Sequence, residues 1–108
     1  MIPSYSIAEE KFNIQEYIVP DNGWLYIETL LLSRLTGVIL VDDVPVDSFD
    51  YASDSAWKSC FIPVKKGNHI TLRHCSNTNY TEPVPSYKWP IADTTSFRIK
   101  HLIYYKIK

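Results

Sequence analysis

Residues 97–108, FRIKHLIYYKIK, decide the fold class of this chain. Two sets of side chains alternate along the stretch: Phe97, Ile99, His101, Ile103, Tyr105 and Ile107 in one, and Arg98, Lys100, Leu102, Tyr104, Lys106 and Lys108 in the other. Successive side chains of a β-strand point to opposite faces of its sheet, so a period of two over twelve residues predicts a half-buried strand rather than a helix. We expect the first, apolar set to face the core and the second, mostly basic set to face outward.

Further strands are predicted along the rest of the chain, at residues 5–8, 14–19, 24–32, 38–41, 44–46, 57–64 and 69–74. The stretch 24–32 is apolar on both faces apart from Glu28 and Thr29, as in a strand buried on two sides. Residues 1–108 hold no repeat and no linker, and their length suits one domain. We therefore predict a single all-β domain, an antiparallel, jelly-roll-like β-sandwich of seven to eight strands.

Two turns predict hairpins. The pair Asp42-Asp43 separates two apolar runs, and Pro45, which has no N–H to donate, places the second arm at a sheet edge. The turn Lys65-Lys66-Gly67 would join 57–64 to 69–74 as direct neighbours. In that register Cys60 faces Leu72 and Cys75 lies on the opposite face, too far away for a disulfide. We predict two free thiols, which suit a reducing cytoplasm.

The charges divide along the chain. Residues 1–54 hold ten acidic and two basic residues, and residues 55–108 hold nine basic and two acidic ones, so the halves carry about −8 and +7. We expect these charges to neutralise each other within one fold; the alternative is docking between subunits. The spread of the basic residues and the acidic half argue against a nucleic-acid partner. No apolar run approaches the ~20 residues of a membrane span, so we expect no membrane insertion.

Motifs for catalysis are absent. The chain has no nucleophile elbow, phosphate-binding loop, dinucleotide fingerprint or zinc-protease motif. His69, His74 and His101 lack metal-ligand spacing, and the acid-rich stretch 42–54 fits no calcium-loop pattern. For His101 we expect a hydrogen-bonded core or interface histidine, with an ion site on an oligomer axis as the alternative. We expect a non-enzyme without cofactor or metal.

Residues 76–96, SNTNYTEPVPSYKWPIADTTS, are a long stretch with little apolar periodicity. Such stretches in compact domains usually have a function. Aromatic rings stack on the apolar faces of sugars and amides match hydroxyls, and the same mixture serves protein recognition. We therefore predict five ligand- or partner-binding residues here: Tyr80, Tyr87, Trp89, Asn77 and Asn79. The alternative is a loop packed over the end of the sandwich, with Trp89 as a plug.

Apolar residues beyond the needs of one core indicate an oligomer. Leu30, Leu31 and Leu32 occupy both faces of one predicted strand, and Leu102 and Tyr104 lie on the expected outward face of the last strand. Exposed patches of this kind usually mark interfaces. We predict a homotrimer or another closed cyclic oligomer.

Four segments carry a family resemblance: PSYS at 3–6, YIVPDNGWLY at 17–26, LVDDVPV at 40–46 and FIPVKKGNHI at 61–70. Their order and spacing over residues 3–75 resemble the small β-sandwich tip domains of bacteriophage tail fibres and other receptor-binding virion proteins. The Tyr-x-x-Pro-x-x-Gly-Trp segment is also similar to the trimeric jelly rolls of the complement C1q and tumour-necrosis-factor type.

The resemblance implies a non-catalytic virion module that attaches a phage to a glycan or protein on the host surface. It also implies other virion proteins as partners and assembly in the bacterial cytoplasm. Two alternatives remain open. One is a structural decoration or adaptor that binds only virion components of tail or capsid, and the other is a carbohydrate-binding module.

Overall fold

The computed structural model of the chain describes residues 5–32, 35–49, 55–76 and 96–107. These residues form eight strands: β1 (Tyr5–Ile14), β2 (Glu16–Ile18), β3 (Gly23–Leu31), β4 (Leu35–Val41), β5 (Val44–Phe49), β6 (Ala56–Val64), β7 (His69–Ser76) and β8 (Phe97–Ile107). Within the described ranges the chain contains no helix that could cross a membrane.

The strands form two four-stranded antiparallel sheets. The front sheet has the order β1-β8-β3-β6, and the back sheet has the order β2-β7-β4-β5. Consecutive strands lie in different sheets in every case except β4 and β5. Such an arrangement of eight strands in two facing sheets is a jelly roll. The predicted antiparallel β-sandwich is confirmed.

The hairpin of β4 and β5 is confirmed. Asp42 and Asp43 have φ angles of 51° and 64°, the left-handed conformation that a tight two-residue hairpin turn needs at both positions. The Asp42 carboxylate accepts hydrogen bonds from the backbone N–H of His69, at 2.9 Å, and from Asn68 Nδ2, at 2.7 Å. These bonds offset the cost of placing aspartate in this conformation. As predicted from Pro45, β5 lies at the edge of its sheet.

The second predicted hairpin is wrong. β6 lies in the front sheet and β7 in the back sheet, so the turn at Lys65–Gly67 connects two sheets rather than two neighbouring strands. Cys60 consequently pairs with Ile27, not with Leu72. The Cys60 thiol is free and half-buried, whereas the side chain of Cys75 lies outside the described part of the chain. In both strands the apolar side chains of alternate residues face the same core. This pattern is the same for a hairpin within one sheet and for a connection between two sheets, so it does not distinguish them.

The N-terminal strands differ from the predicted bounds. In place of strands at 5–8 and 14–19, β1 runs from Tyr5 to Ile14 and β2 covers only Glu16 to Ile18. β1 is the edge strand of the front sheet and pairs with β8 alone. Because an edge strand has one solvent-facing side, it accommodates charged residues such as Glu10 and Lys11 within its length.

The core lies between the sheets. Its fully buried members are Val19, Leu25, Ile27, Leu31, Ile39, Ile70, Leu72, Phe97, Ile99, Leu102 and Tyr104, together with the nearly buried Tyr17 and Val64. β3 is central, but only one of its faces is fully buried, since Trp24, Tyr26 and Glu28 on the other face are partly exposed. The expectation that 24–32 is buried on two sides is therefore correct for one face only.

A β-bulge in β8 reverses its faces. Glu28 of β3 pairs with His101, but the next residue, Thr29, pairs with Ile99, so Lys100 is an extra residue on β8. Beyond the bulge Leu102 and Tyr104 are buried, and His101 turns outward. The expected burial of His101, and the expected outward position of Leu102 and Tyr104, are therefore wrong. A one-residue insertion shifts a period-two pattern by half a period and places the polar imidazole outside.

The oligomer was predicted from apolar side chains that the structure buries within the chain. Leu102 and Tyr104 are core residues, and Leu30 and Leu31 are buried within the same chain. Of the three consecutive leucines, Leu32 alone is exposed. Exposed apolar side chains do exist on both sheets: Ile7, Phe12, Trp57, Phe61 and Ile107 on the front sheet, and Ile18, Val44 and Val46 on the back sheet.

Ion pairs connect the acidic and the basic half of the chain within the fold. Lys58 Nζ lies 3.0 Å from the Asp47 carboxylate and donates to the Ser48 carbonyl oxygen at 2.6 Å, which joins the edges β6 and β5 of the two sheets. Lys106 lies 3.8 Å from Asp21. These pairs agree with the expected neutralisation of charge within one fold.

Candidate functional site: the aromatic face of the front sheet

The five binding residues predicted from the sequence, Tyr80, Tyr87, Trp89, Asn77 and Asn79, all lie outside the described residues. Their assignment stays a prediction. The described part of the chain presents a different candidate surface, which sequence reasoning missed.

Aromatic side chains cover the outward side of the front sheet. Even-numbered residues of β3 and odd-numbered residues of β6 point away from the core, and the residues of β8 beyond the bulge do so in register with them. We call this surface the aromatic face; its members are Phe12, Trp24, Tyr26, Trp57, Phe61, His101 and Tyr105.

The rings of the aromatic face contact one another across strands. Phe61 stacks on Trp24, with ring centres 5.1 Å apart, and meets the edge of Tyr105 at 5.8 Å. Phe12 stacks on His101 at 4.6 Å, nearly parallel. Neighbouring pairs of this kind are worth about 0.5–1.5 kcal/mol beyond the area they bury, so the rings hold one another in place.

Much of this aromatic surface is open. Phe12, Trp57 and Phe61 are 58%, 54% and 55% exposed. At ~200 Å² for each aromatic side chain, these three alone expose on the order of 300 Å². Exposed aromatic surface of this extent on one sheet of a small protein often marks a functional site.

The back sheet differs in this respect. Its central strand β4 is buried on both faces, since Val38 and Leu40, which point away from the inter-sheet core, are as inaccessible as Ile39, which points into it. The central strand of the back sheet is therefore covered on its outer side, whereas the central strand β3 of the front sheet is partly open there.

Hydrogen-bonding groups stand among the rings. Tyr26 donates its hydroxyl to Glu28 at 2.9 Å, and this bond, together with burial, raises the pKa of Tyr26, so that it stays a neutral donor. His101 Nε2 lies 2.6 Å from the Glu10 carboxylate. The hydrogen-bonded histidine expected from the sequence is present, on the outer face rather than in the core. Each carboxylate retains acceptor positions for a ligand hydroxyl.

A shallow pocket opens beside Trp57. It has a volume of about 210 Å³ and is lined by Glu28, Trp57, Lys58 and Ser59. Lys100 Nζ, from the bulge of β8, lies 4.3 Å from the centre of the Trp57 ring and holds it by a cation–π contact. The pocket thus combines an aromatic wall with a carboxylate and a hydroxyl.

Other chemistry-bearing groups are placed apart from this surface. Burial, with the negative charge of Asp47, raises the pKa of the Cys60 thiol to about 11. A thiol of this kind is protonated at neutral pH and is a poor nucleophile. No three potential metal ligands gather at one point in the part of the chain that the structure describes. His69 pairs with Glu16 at 2.9 Å in the back sheet, away from His101.

A sequence signal for the aromatic face existed. Trp24 and Tyr26 are two residues apart on one strand, and Trp57 and Phe61 are four apart on another, so each pair shares a face. The alternate positions are apolar as well, however: Leu25 and Ile27 in one strand, and Cys60 and Ile62 in the other. Periodicity showed that the aromatic residues lie together but not that they lie outside.

No protein-family model matches the chain, and no curated protein matches it either.

Proposed function

We propose that this chain is a non-catalytic binding module that attaches a virion to a glycan on the host surface, and that the aromatic face holds the glycan. The observation that carries the proposal is the set of partly exposed rings on the front sheet, beside carboxylates that keep acceptor positions for a ligand. The virion setting rests on the resemblance of residues 3–75 to receptor-binding tip domains.

Sugar recognition suits this surface for two reasons. A pyranose ring has apolar C–H faces that pack on aromatic rings, and Trp57 and Phe61 offer exposed rings on the outer side of the front sheet. Its hydroxyls need acceptors and donors at the ring edge, and Glu28 and Ser59 supply them beside Trp57. Binding sites of this type are mainly aromatic with a few polar groups that set orientation.

Binding to a glycan array, followed by titration of the best binder, tests the proposal. We expect Trp57→Ala and Phe61→Ala each to weaken binding about tenfold or more, the usual effect of removing a stacking aromatic. Val44→Ala is the matched control, because Val44 is 60% exposed on the back sheet and should leave binding unchanged. Thermal unfolding of each variant checks that the fold is retained.

Two results would reject glycan binding at this face. One is unchanged affinity in both aromatic variants. The other is binding to a virion protein but to no glycan, with this binding abolished by the same two variants. That result would favour the alternative of a structural decoration or adaptor.

A homotrimer is the assembly that we propose with this function, and its support is the similarity of residues 17–26 to trimeric jelly rolls. Light scattering of the purified protein tests it. A monomer at high concentration would reject the trimer and leave glycan binding untouched. If the protein is a trimer and Phe61→Ala dissociates it, the aromatic face forms the subunit interface. That result would contradict its role in glycan binding.

A further inference from the structure

A second pocket lies at one end of the aromatic face. Its volume is about 490 Å³, and it is formed where the start of β3 meets the turn between β6 and β7. The residues that matter for its chemistry are Asn22, Trp24, Pro63, Lys65, Asn68 and Ile107. Trp24 belongs both to this end pocket and to the aromatic face, so a ligand chain lying along the face can reach into it.

Hydrogen bonds build the walls of the end pocket before any ligand arrives. Asn22 Oδ1 accepts from the backbone N–H of Lys66 at 2.9 Å, which joins the two turns that form the rim. Asn68 Oδ1 accepts from the Lys65 N–H at 2.7 Å, and the Gly67 N–H donates to the Val19 carbonyl at 2.8 Å. Preformed walls reduce the entropy that a ligand must lose on binding.

The same bonds determine which groups remain for a ligand. With its oxygen held by Lys66, the Asn22 side chain directs its NH₂ group away from that bond, as a donor. Lys65 is exposed at the pocket wall and has no ion pair among the described residues. The pocket therefore offers a ligand two donors, the Asn22 amide and the positively charged Lys65.

The acidic groups near the end pocket are already engaged. Asp42 accepts from Asn68 and from the backbone N–H of His69, and Asp21 is paired with Lys106 at 3.8 Å. Among the described lining residues of the pocket Lys65 is the one charged side chain, and no carboxylate lines it. An anionic group is favoured at such a site.

We propose that the end pocket binds a carboxylate-bearing sugar of the glycan. The sugar ring packs on Trp24 and Pro63, and its carboxylate is bound by Lys65 with the Asn22 amide as second donor. The inference rests on the proposed glycan-binding function and adds the class of sugar that this end of the face selects.

The test compares acidic probes with matched neutral ones: sialyllactose with lactose, and a glucuronate-containing trisaccharide with its carboxyl-reduced form. We expect at least one acidic probe to bind more tightly than its neutral partner, and Lys65→Met to weaken that probe about tenfold. Lys65→Arg should restore most of the affinity. Lys66→Met, on the same turn but outside the pocket lining, should change binding less than twofold.

The outcomes separate this inference from the function on which it rests. Equal losses in Lys65→Met and Lys66→Met would show only unspecific charge attraction and overturn the pocket assignment. Equal affinity for the acidic and the neutral probes would also overturn it. If Trp57→Ala weakened the binding of both kinds of probe in that case, the proposed function would still stand. Because Lys65 is exposed, its variants should unfold at the wild-type temperature, so lost binding reports the site itself.

Discussion

The reversed faces of β8 make a sharp prediction about two adjacent residues. Leu102 is completely buried and packs between the sheets, whereas Ile103 is partly exposed on the outer face, opposite Tyr26. Simple alternation from Phe97 would assign them the opposite positions. The substitutions Leu102→Ala and Ile103→Ala therefore test whether Lys100 forms the bulge.

The two changes differ in expected magnitude. Truncating a fully buried leucine removes its transfer free energy and leaves a cavity, which together cost about 2–5 kcal/mol. Truncating Ile103 leaves no enclosed cavity, because this side chain is only partly covered, so the change should cost about 1 kcal/mol. In a domain of this size 1 kcal/mol corresponds to roughly 4–8 °C in melting temperature, so Leu102→Ala should lower it by roughly 10–40 °C.

Urea unfolding followed by circular dichroism measures both free energies, with thermal melts as a second readout. Parallel slopes against urea would show that the variants unfold from the same native state. A larger loss of stability for Ile103→Ala than for Leu102→Ala would refute the bulge. The outward placement of His101 and Tyr105, two of the seven residues of the aromatic face, would then be lost as well.

Three further predictions concern single positions. Gly23→Ala should cost about 2 kcal/mol or more in denaturant unfolding, because its new Cβ would overlap the carbonyl oxygen of Tyr105; wild-type stability would contradict this close approach of β3 and β8. Asp43→Gly should raise stability by up to ~1 kcal/mol, since glycine adopts a φ of 64° without strain, and a loss would show that the side chain matters. Alkylation of Cys60 in a Cys75→Ser background should have its midpoint near pH 11 rather than the ~8.5 of a free thiol, and a midpoint near 8.5 would refute the burial. Folding favours the protonated Cys60 thiol, so its contribution to stability is present below the pKa of the unfolded state and is lost as the pH rises through about 11.

Local features of the fold were predictable from local sequence. The turn at Asp42-Asp43 forms the expected hairpin, because two residues that tolerate positive φ between apolar runs leave the chain few alternatives. Pro45 lies on an edge strand because a missing N–H is tolerated only there. Each of these features depends on residues that are close together in the chain.

The candidate site was less accessible to sequence reasoning. The alternation in β6 predicted that Trp57 and Phe61 share a face, but Cys60 and Ile62 on the other face are apolar as well. The predicted residues in 76–96 remain a separate prediction, so the aromatic face and that stretch are independent candidates for recognition.

The sequence by itself determined that this chain forms strands, where most of them lie and where one hairpin turns, because side-chain periodicity and backbone preferences act within a few residues. Only the tertiary structure decided which strands are neighbours and which face of each is buried. β6 and β7 adjoin in sequence yet lie in opposite sheets, and the single extra residue Lys100 moves Leu102 into the core and His101 out of it. The physical reason is that both faces of a strand can offer apolar side chains, and the choice between them depends on packing against residues far away in the chain.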